Sequence, residues 1–208
     1  MDRGLVVSFE GGEGSGKTTQ FDLACQFLEE AGIHFRAFRE PGGTEISEEI
    51  REVLLRTRET IMSPWTELLL FEAARAQNTF ENIRPAVEKG WLVLLDRYTD
   101  SSDAYQGYGR GLDFDQVAML NAVATQGIRP DKTLYFDLDP VLGLERGTKS
   151  GKDRIEAAEL SFHQRVRLGY LTMAAGEPQR YVVLNGLNAV DSLHYQVTCI
   201  LGQLLGRS

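Results

Sequence analysis

The chain has 208 residues, 42% hydrophobic and 25% charged, which suits one well-cored domain, expected here as residues 1–208. Its formal net charge of −8 argues against a duplex nucleic-acid partner, which needs an excess of Lys and Arg. No apolar run reaches the length of a membrane span and Met1-Asp2-Arg3 opens no secretory leader, so a cytoplasmic protein without a membrane partner is expected.

In chain order, the apolar run Leu5–Phe9 reads as a buried strand ending at Glu10. Gly11-Gly-Glu-Gly-Ser-Gly16-Lys17-Thr18 follows and fits G-x-x-x-x-G-K-[ST] completely. Glycines in that pattern let successive backbone N–H groups converge on phosphate oxygens, so Gly11, Gly12, Glu13, Gly14, Ser15, Gly16, Lys17 and Thr18 are candidate ATP contacts. Lys17 is expected to neutralise the β and γ phosphates, and the Thr18 hydroxyl to ligate Mg²⁺. Phe21, Ala24, Cys25 and Leu28 then recur at helical spacing, which places the loop at a helix N-terminus, where the macrodipole favours anions.

Phe35–Phe38 reads as a second strand, and Trp65 to about Glu88 as a long helix with Pro85 as its break. Apolar on more than one side, that helix is expected to meet a second subunit in part. Trp91–Leu95 is a third strand, putting Asp96 and Arg97 at the carboxyl edge of the sheet. Asp96 suits a metal, directly or through water, and the planar fork of Arg97 suits phosphate oxygens; a structural salt bridge is the alternative for both. Val117, Leu120, Asn121 and Ala124 nearly repeat the helical spacing, while Thr133–Phe136 and Tyr181–Leu184 complete five strands. Alternation of strands with helices predicts an α/β fold with a parallel sheet. Arg146 to Arg154 has glycines and basic residues without periodicity and reads as a short mobile lid, about residues 146–156. Cys25 and Cys199, each on an apolar helical face, are expected as buried thiols, and His34, His163 and His194 are assigned no chemistry.

Asp96-Arg-Tyr-Thr-Asp-Ser-Ser-Asp-Ala-Tyr-Gln106 resembles the D-R-Y/H-x-x-S-x-x-A-Y-Q signature of thymidylate kinases. Arg39-Glu-Pro-Gly-Gly-Thr44 with Glu48-Glu-Ile-Arg51, Leu70-Phe-Glu-Ala-Ala-Arg75 and Asp153-Arg-Ile-Glu156 are similar to further family segments, in family order over nearly the whole chain. The resemblance implies a P-loop NTPase-type three-layer α/β/α fold, transfer of the ATP γ-phosphoryl group to dTMP, and a homodimer. Carried over residue by residue, it implies that Phe71 stacks on the thymine, Arg75 donates to its O4, Ser102 meets N3 and Tyr105 crowds the sugar 2′ position. Gln106 supports that pocket. Arg39 and Arg51 resemble groups near the acceptor phosphate, a placement that a surface ion pair explains equally well. Glu13, an odd carboxylate beside polyphosphate, matches a position that contacts the deoxyribose 3′-hydroxyl.

The resemblance also implies that a family member without a loop arginine takes positive charge from the lid. That assigns Arg154, with Lys149 or Lys152, to the transferring phosphoryl, and makes Lys17, Arg97 and Arg154 the catalytic set. The rival within the class is another nucleoside monophosphate or deoxynucleoside kinase. A GTPase-type switch is disfavoured, because Thr148-Lys149-Ser150-Gly151 and Asp96-Arg-Tyr-Thr99 both miss its motifs.

Overall fold

The computed structural model describes residues 3–147 and 153–206. Five strands, β1 (Val6–Gly11), β2 (Phe35–Arg39), β3 (Leu92–Asp96), β4 (Lys132–Asp137) and β5 (Tyr181–Asn185), form one sheet in the order β2-β3-β1-β4-β5. Every pairing is parallel. Parallel strands need crossovers, and the helical segments between them supply these.

The two-residue period of the central strands divides their side chains between two layers. Val7, Phe9, Leu94, Leu134 and Phe136 point into a core shared with helices α1 (Lys17–Glu30) and α9 (Val190–Leu204). Val6, Val93 and Leu95 point the other way, onto Ile83, Ala86 and Val87. On that second face Tyr135 packs with Tyr105, Phe162 and Tyr170, the last two from helix α8 (Leu160–Gly176). Helices therefore cover both faces, the three-layer arrangement that the resemblance implies.

The remaining helices are α2 (Glu45–Leu55), α3 (Pro64–Asn78), α4 (Arg84–Glu88), α5 (Thr99–Ser102), α6 (Phe114–Ala124) and α7 (Pro140–Gly147). Their starts follow side-chain chemistry: Thr44, Ser63 and Asp113 each accept a hydrogen bond from a backbone N–H in the first turn of α2, α3 and α6.

Several sequence expectations are corrected here. The long helix from Trp65 does not break at Pro85; a π-helical turn at Thr79–Ile83 joins α3 to α4, and Pro85 sits in the first turn of α4, where its missing N–H costs nothing. Strand β3 includes Asp96, because its carbonyl still accepts from Glu40 N at 2.9 Å. Arg146 and Gly147 belong to α7 rather than to an irregular loop, with Asp139 accepting from Val141 N at its start. Cys199 is exposed; Cys25 is half-buried, and burial pushes its thiol up to about 11. Lys149 and Lys152 lie outside the described residues.

Candidate functional site

The carboxyl ends of β1, β2 and β3 lie side by side, with Phe9 and Arg39 both in register with Asp96. The loop from Gly11 to Lys17 leaves β1 at this edge and enters α1 with Gly16 as its N-cap. Gly14 and Gly16 have φ of 64° and 84°, a left-handed backbone that glycine adopts without penalty. At Gly11 a side chain would meet Ser15 Oγ and the Phe136 carbonyl. α7 packs on the loop through its own glycines: a Cβ at Gly143 would collide with the Glu13 carbonyl, and one at Gly147 with the Glu13 side chain. Ser15 Oγ is buried without a hydrogen-bond partner in the structure, as a phosphate cradle would leave it.

Lys17 is 6% exposed and its ammonium is paired with Asp96 Oδ1. Burial, then the charge of Arg97, lower its pKa, while Asp96 opposes them. Thr18 Oγ1 lies 3.5 Å from Asp96 Oδ2. One hydroxyl and one carboxylate oxygen at the mouth of a phosphate loop fit Mg²⁺, a hard cation that takes one or two protein oxygens and completes its shell with phosphate and water. Among the described residues no three His, Cys, Asp or Glu cluster as an all-protein cage.

A cleft of about 330 Å³ opens between this loop and α3. Glu13, Lys17, Thr18, Arg39, Arg51, Phe71, Arg75, Asp96, Arg97, Ser102, Tyr105 and Gln106 all line it, so one cavity gathers the acceptor-side candidates with the loop's own polar groups. Arg97 has φ 71°, a left-handed conformation costly for a residue with a Cβ, and places its guanidinium 5.2 Å from the Tyr105 ring. Glu10 holds that turn: its carboxylate accepts from Tyr98 N at 2.8 Å, Ser101 Oγ at 2.6 Å and Tyr170 Oη at 2.8 Å. Burial, then the charge of Asp100, raise Glu10 to about 7.

Arg75 is 2% exposed, so it is a buried cation and not a solvated one on the face of α3. Its Nε donates to Glu40 at 2.8 Å, Nη1 shares its two protons among Glu72 at 2.5 Å, Ser102 at 2.8 Å and Asn121 at 2.8 Å, and Nη2 donates to the Tyr98 carbonyl at 3.0 Å. Burial works against its charge, but Glu72 and Glu40 more than compensate and its pKa is raised. Gln106 is held by Glu67 Oε1 at 2.8 Å. Arg39 lines the cleft and pairs with Glu48 at 2.8 Å on the surface. Arg51 donates to the Pro41 carbonyl at 2.9 Å, and burial, then the charge of Arg39, lower its pKa.

Arg154, expected over the transferring phosphoryl once the lid closes, rests at the lid base. Rather than facing the phosphate loop, it donates to the Leu54 carbonyl at 2.9 Å and to Glu67 Oε2 at 2.5 Å. Glu67 is 1% exposed, and a carboxylate so buried is stable only when paired, here by Arg154 and by Arg110 at 3.0 Å. The described basic residue of the lid base nearest the loop is Arg146, which donates to Gly14 O at 3.4 Å and Gly186 O at 3.1 Å. Asp153 and Glu156 form a capping-box turn, Glu156 N donating to Asp153 Oδ1 at 2.9 Å and Asp153 N to Glu156 Oε2 at 3.2 Å, and both residues line the cleft.

His163, set aside at first, also lines the cleft, and burial lowers its pKa. Glu40 and Glu72 lie inside segments singled out in the sequence, so their proximity to Arg75 had a signal there. Glu67 and Tyr170 had none, because their partners lie 43 and 160 residues away.

Comparison with known proteins agrees with this geometry. The family model described as Thymidylate kinase matches residues 9–197. The thymidylate kinase of Solidesulfovibrio magneticus is 45% identical over 97% of this chain and 100% of its own. That of Deinococcus radiodurans is 46% identical over 95% and 96%, respectively. A crystal structure of thymidylate kinase from Ehrlichia chaffeensis superposes with a TM-score of 0.76 at 30% identity, covering 96% of this chain and 99% of that one.

Proposed function

Because the chain belongs to the thymidylate kinase family, we propose that it transfers the γ-phosphoryl group of ATP to dTMP, giving dTDP and ADP, in the cleft between the phosphate loop and α3. The observation that carries this reading is the cleft itself, in which Lys17, Thr18 and Asp96 face Phe71, Arg75 and Ser102 across Arg97.

The roles follow from the chemistry. Backbone N–H groups of Gly11 to Gly16 and the end of α1 hold the ATP phosphates. Lys17 leaves Asp96 to neutralise them, a transfer made easier because burial already disfavours its charge in the free chain. Thr18 and Asp96 are the groups that would hold Mg²⁺, whose chemistry here is neutralisation of the β and γ oxygens. Phe71 offers its ring face to the base, Arg75 and Ser102 its polar edge, Tyr105 the sugar and Gln106 support for that wall. Arg39 and Arg51 give the acceptor phosphate a cationic wall, and Glu13 is placed for the 3′-hydroxyl. Arg97 aligns the two anions. The acceptor phosphate has a second pKa near 6, so its oxygen is already nucleophilic at neutral pH and no catalytic base is needed. Charge stabilisation from the lid side falls to Arg146, which sits against Gly14, while Arg154 anchors the lid base to α3 through Glu67.

The same reading makes the chain a single-domain protein. It also makes it a homodimer joined through α3 and α6, where Leu69, Met119 and Val123 stand 52%, 59% and 71% exposed. No described helix is long and apolar enough to cross a membrane, and we place the protein in the cytoplasm.

The test is a coupled ADP-release assay with ATP and Mg²⁺ offering dTMP, dUMP, dCMP, dGMP, UMP and thymidine in parallel. Preference for dTMP, with its KM raised about tenfold by Phe71→Ala, is the expected result. Preference for another acceptor would sink the pocket assignment, and acceptor-independent hydrolysis would sink the kinase reading.

A further inference from the structure

We propose that Glu72 is a positioning residue for specificity: it fixes the hydrogen-bond polarity of Ser102, so that the pocket presents an acceptor to the ring nitrogen of the base. The inference rests on the acceptor reading above. A hydroxyl has one proton and two lone pairs. Ser102 Oγ donates its proton to Glu72 Oε1 at 2.9 Å, since a carboxylate only accepts. One of its lone pairs takes the Arg75 Nη1 proton at 2.8 Å, since a guanidinium only donates. One lone pair remains, on a residue that lines the cleft.

Glu72 Oε1 is also 2.5 Å from Arg75 Nη1, so a single oxygen, on a residue 5% exposed, orients both groups that face the base edge. With Nε and Nη1 engaged, the second Nη2 N–H of Arg75, whose other proton goes to the Tyr98 carbonyl, is the donor that stands beside the Ser102 acceptor. Thymine presents the complement, O4 as acceptor and N3–H as donor, whereas cytosine presents N4–H₂ and a bare N3. Without Glu72 the hydroxyl rotor is released from its carboxylate and is free to turn its proton toward the pocket, where it satisfies the wrong base.

The experiment measures kcat/KM for dTMP and for 5-methyl-dCMP, which has the same methyl group and ring but the reversed edge, with ATP and Mg²⁺. In Glu72→Ala the dTMP to 5-methyl-dCMP ratio is expected to fall about tenfold. Glu72→Gln, which keeps an acceptor oxygen, should retain the ratio, and in a Ser102→Ala background Glu72→Ala should no longer move it. Should the alanine variant fail to fold, Glu72→Met fills the same volume without an acceptor and carries the same expectation. Equal losses for both acceptors, leaving the ratio intact, would overturn the inference and reduce Glu72 to a structural counter-ion. An unmodified chain without preference for dTMP over 5-methyl-dCMP would overturn the acceptor reading, and the inference with it.

Discussion

The two walls of the cleft handle charge in opposite ways. On the donor wall, Lys17 is paired with Asp96 alone, its pKa is lowered chiefly by burial, and Ser15 Oγ has no partner. On the acceptor wall, Arg75 meets Glu40, Glu72, Ser102, Asn121 and a carbonyl, while Glu67 meets Arg110, Arg154 and Gln106. The donor wall is left short of counter-charge, as a site that must stabilise a polyphosphate and its transition state requires. The acceptor wall is neutralised in advance and held rigid, as a site that must tell one planar edge from another requires.

The sharpest way to break this contrast is to delete one cation from each wall. Arg75→Ala leaves Glu40 and Glu72 buried without their main counter-ion, and is expected to cost about 3–5 kcal/mol of stability by denaturant titration. Lys17→Met strands only Asp96 and removes a charge that burial disfavours, so it should cost less stability than Arg75→Ala, while kcat drops roughly a thousandfold in the ADP-release assay. Equal destabilisation by the two substitutions would show that the walls do not differ.

The same contrast explains what was legible beforehand. The phosphate loop was readable because its requirement is local: glycines at Gly14 and Gly16 for a left-handed backbone, then a lysine and a hydroxyl at fixed offsets. The five strands and their parallel pairing followed from short apolar runs alternating with helical segments, whereas their order in the sheet did not. The acceptor wall was legible only as far as matched segments named its residues. Their satisfaction comes from pairs such as Arg75 with Glu40, 35 residues apart, and Arg154 with Glu67, 87 apart, which no spacing rule encodes. The Glu67 pair of Arg154 was hidden for that reason: a basic residue in a lid segment points to phosphate, and nothing local announces a buried carboxylate 87 residues away.

Glu10 lies at the seam between the walls, and its titration sharpens the comparison next. Its folded pKa, raised by burial and by Asp100, is about 7 against an ordinary 4.5. Below 4.5 the carboxyl is protonated in both folded and unfolded chain and its contribution is fully present. The contribution is lost as pH rises from 4.5 through about 7, where the unfolded chain has released the proton that the folded chain still holds. Relative to Glu10→Gln, the unmodified chain should lose on the order of 3 kcal/mol between pH 4.5 and 8, read as a changing difference in Tm. Asp103, raised to about 7 by burial and then by Asp100, titrates in the same window, and the Gln variant cancels it. A difference in Tm that stays flat with pH would show that Glu10 is not held protonated.

The smallest expected effect belongs to Arg39, the one acceptor-side cation whose pair is open to solvent. Its side chain is 48% exposed and that of Glu48 46%, so their 2.8 Å contact is screened by water and salt. Arg39→Ala should change stability by less than about 1 kcal/mol, and by less again at high ionic strength. Its effect on KM for the phosphorylated acceptor should be several-fold larger than on KM for ATP, because Arg39 lines the cleft at the end of β2, beside Arg51. If Arg39→Ala destabilised the chain as much as Arg75→Ala, the exposed pair would belong to the pre-neutralised wall after all. A KM change confined to ATP would instead move Arg39 to the donor side.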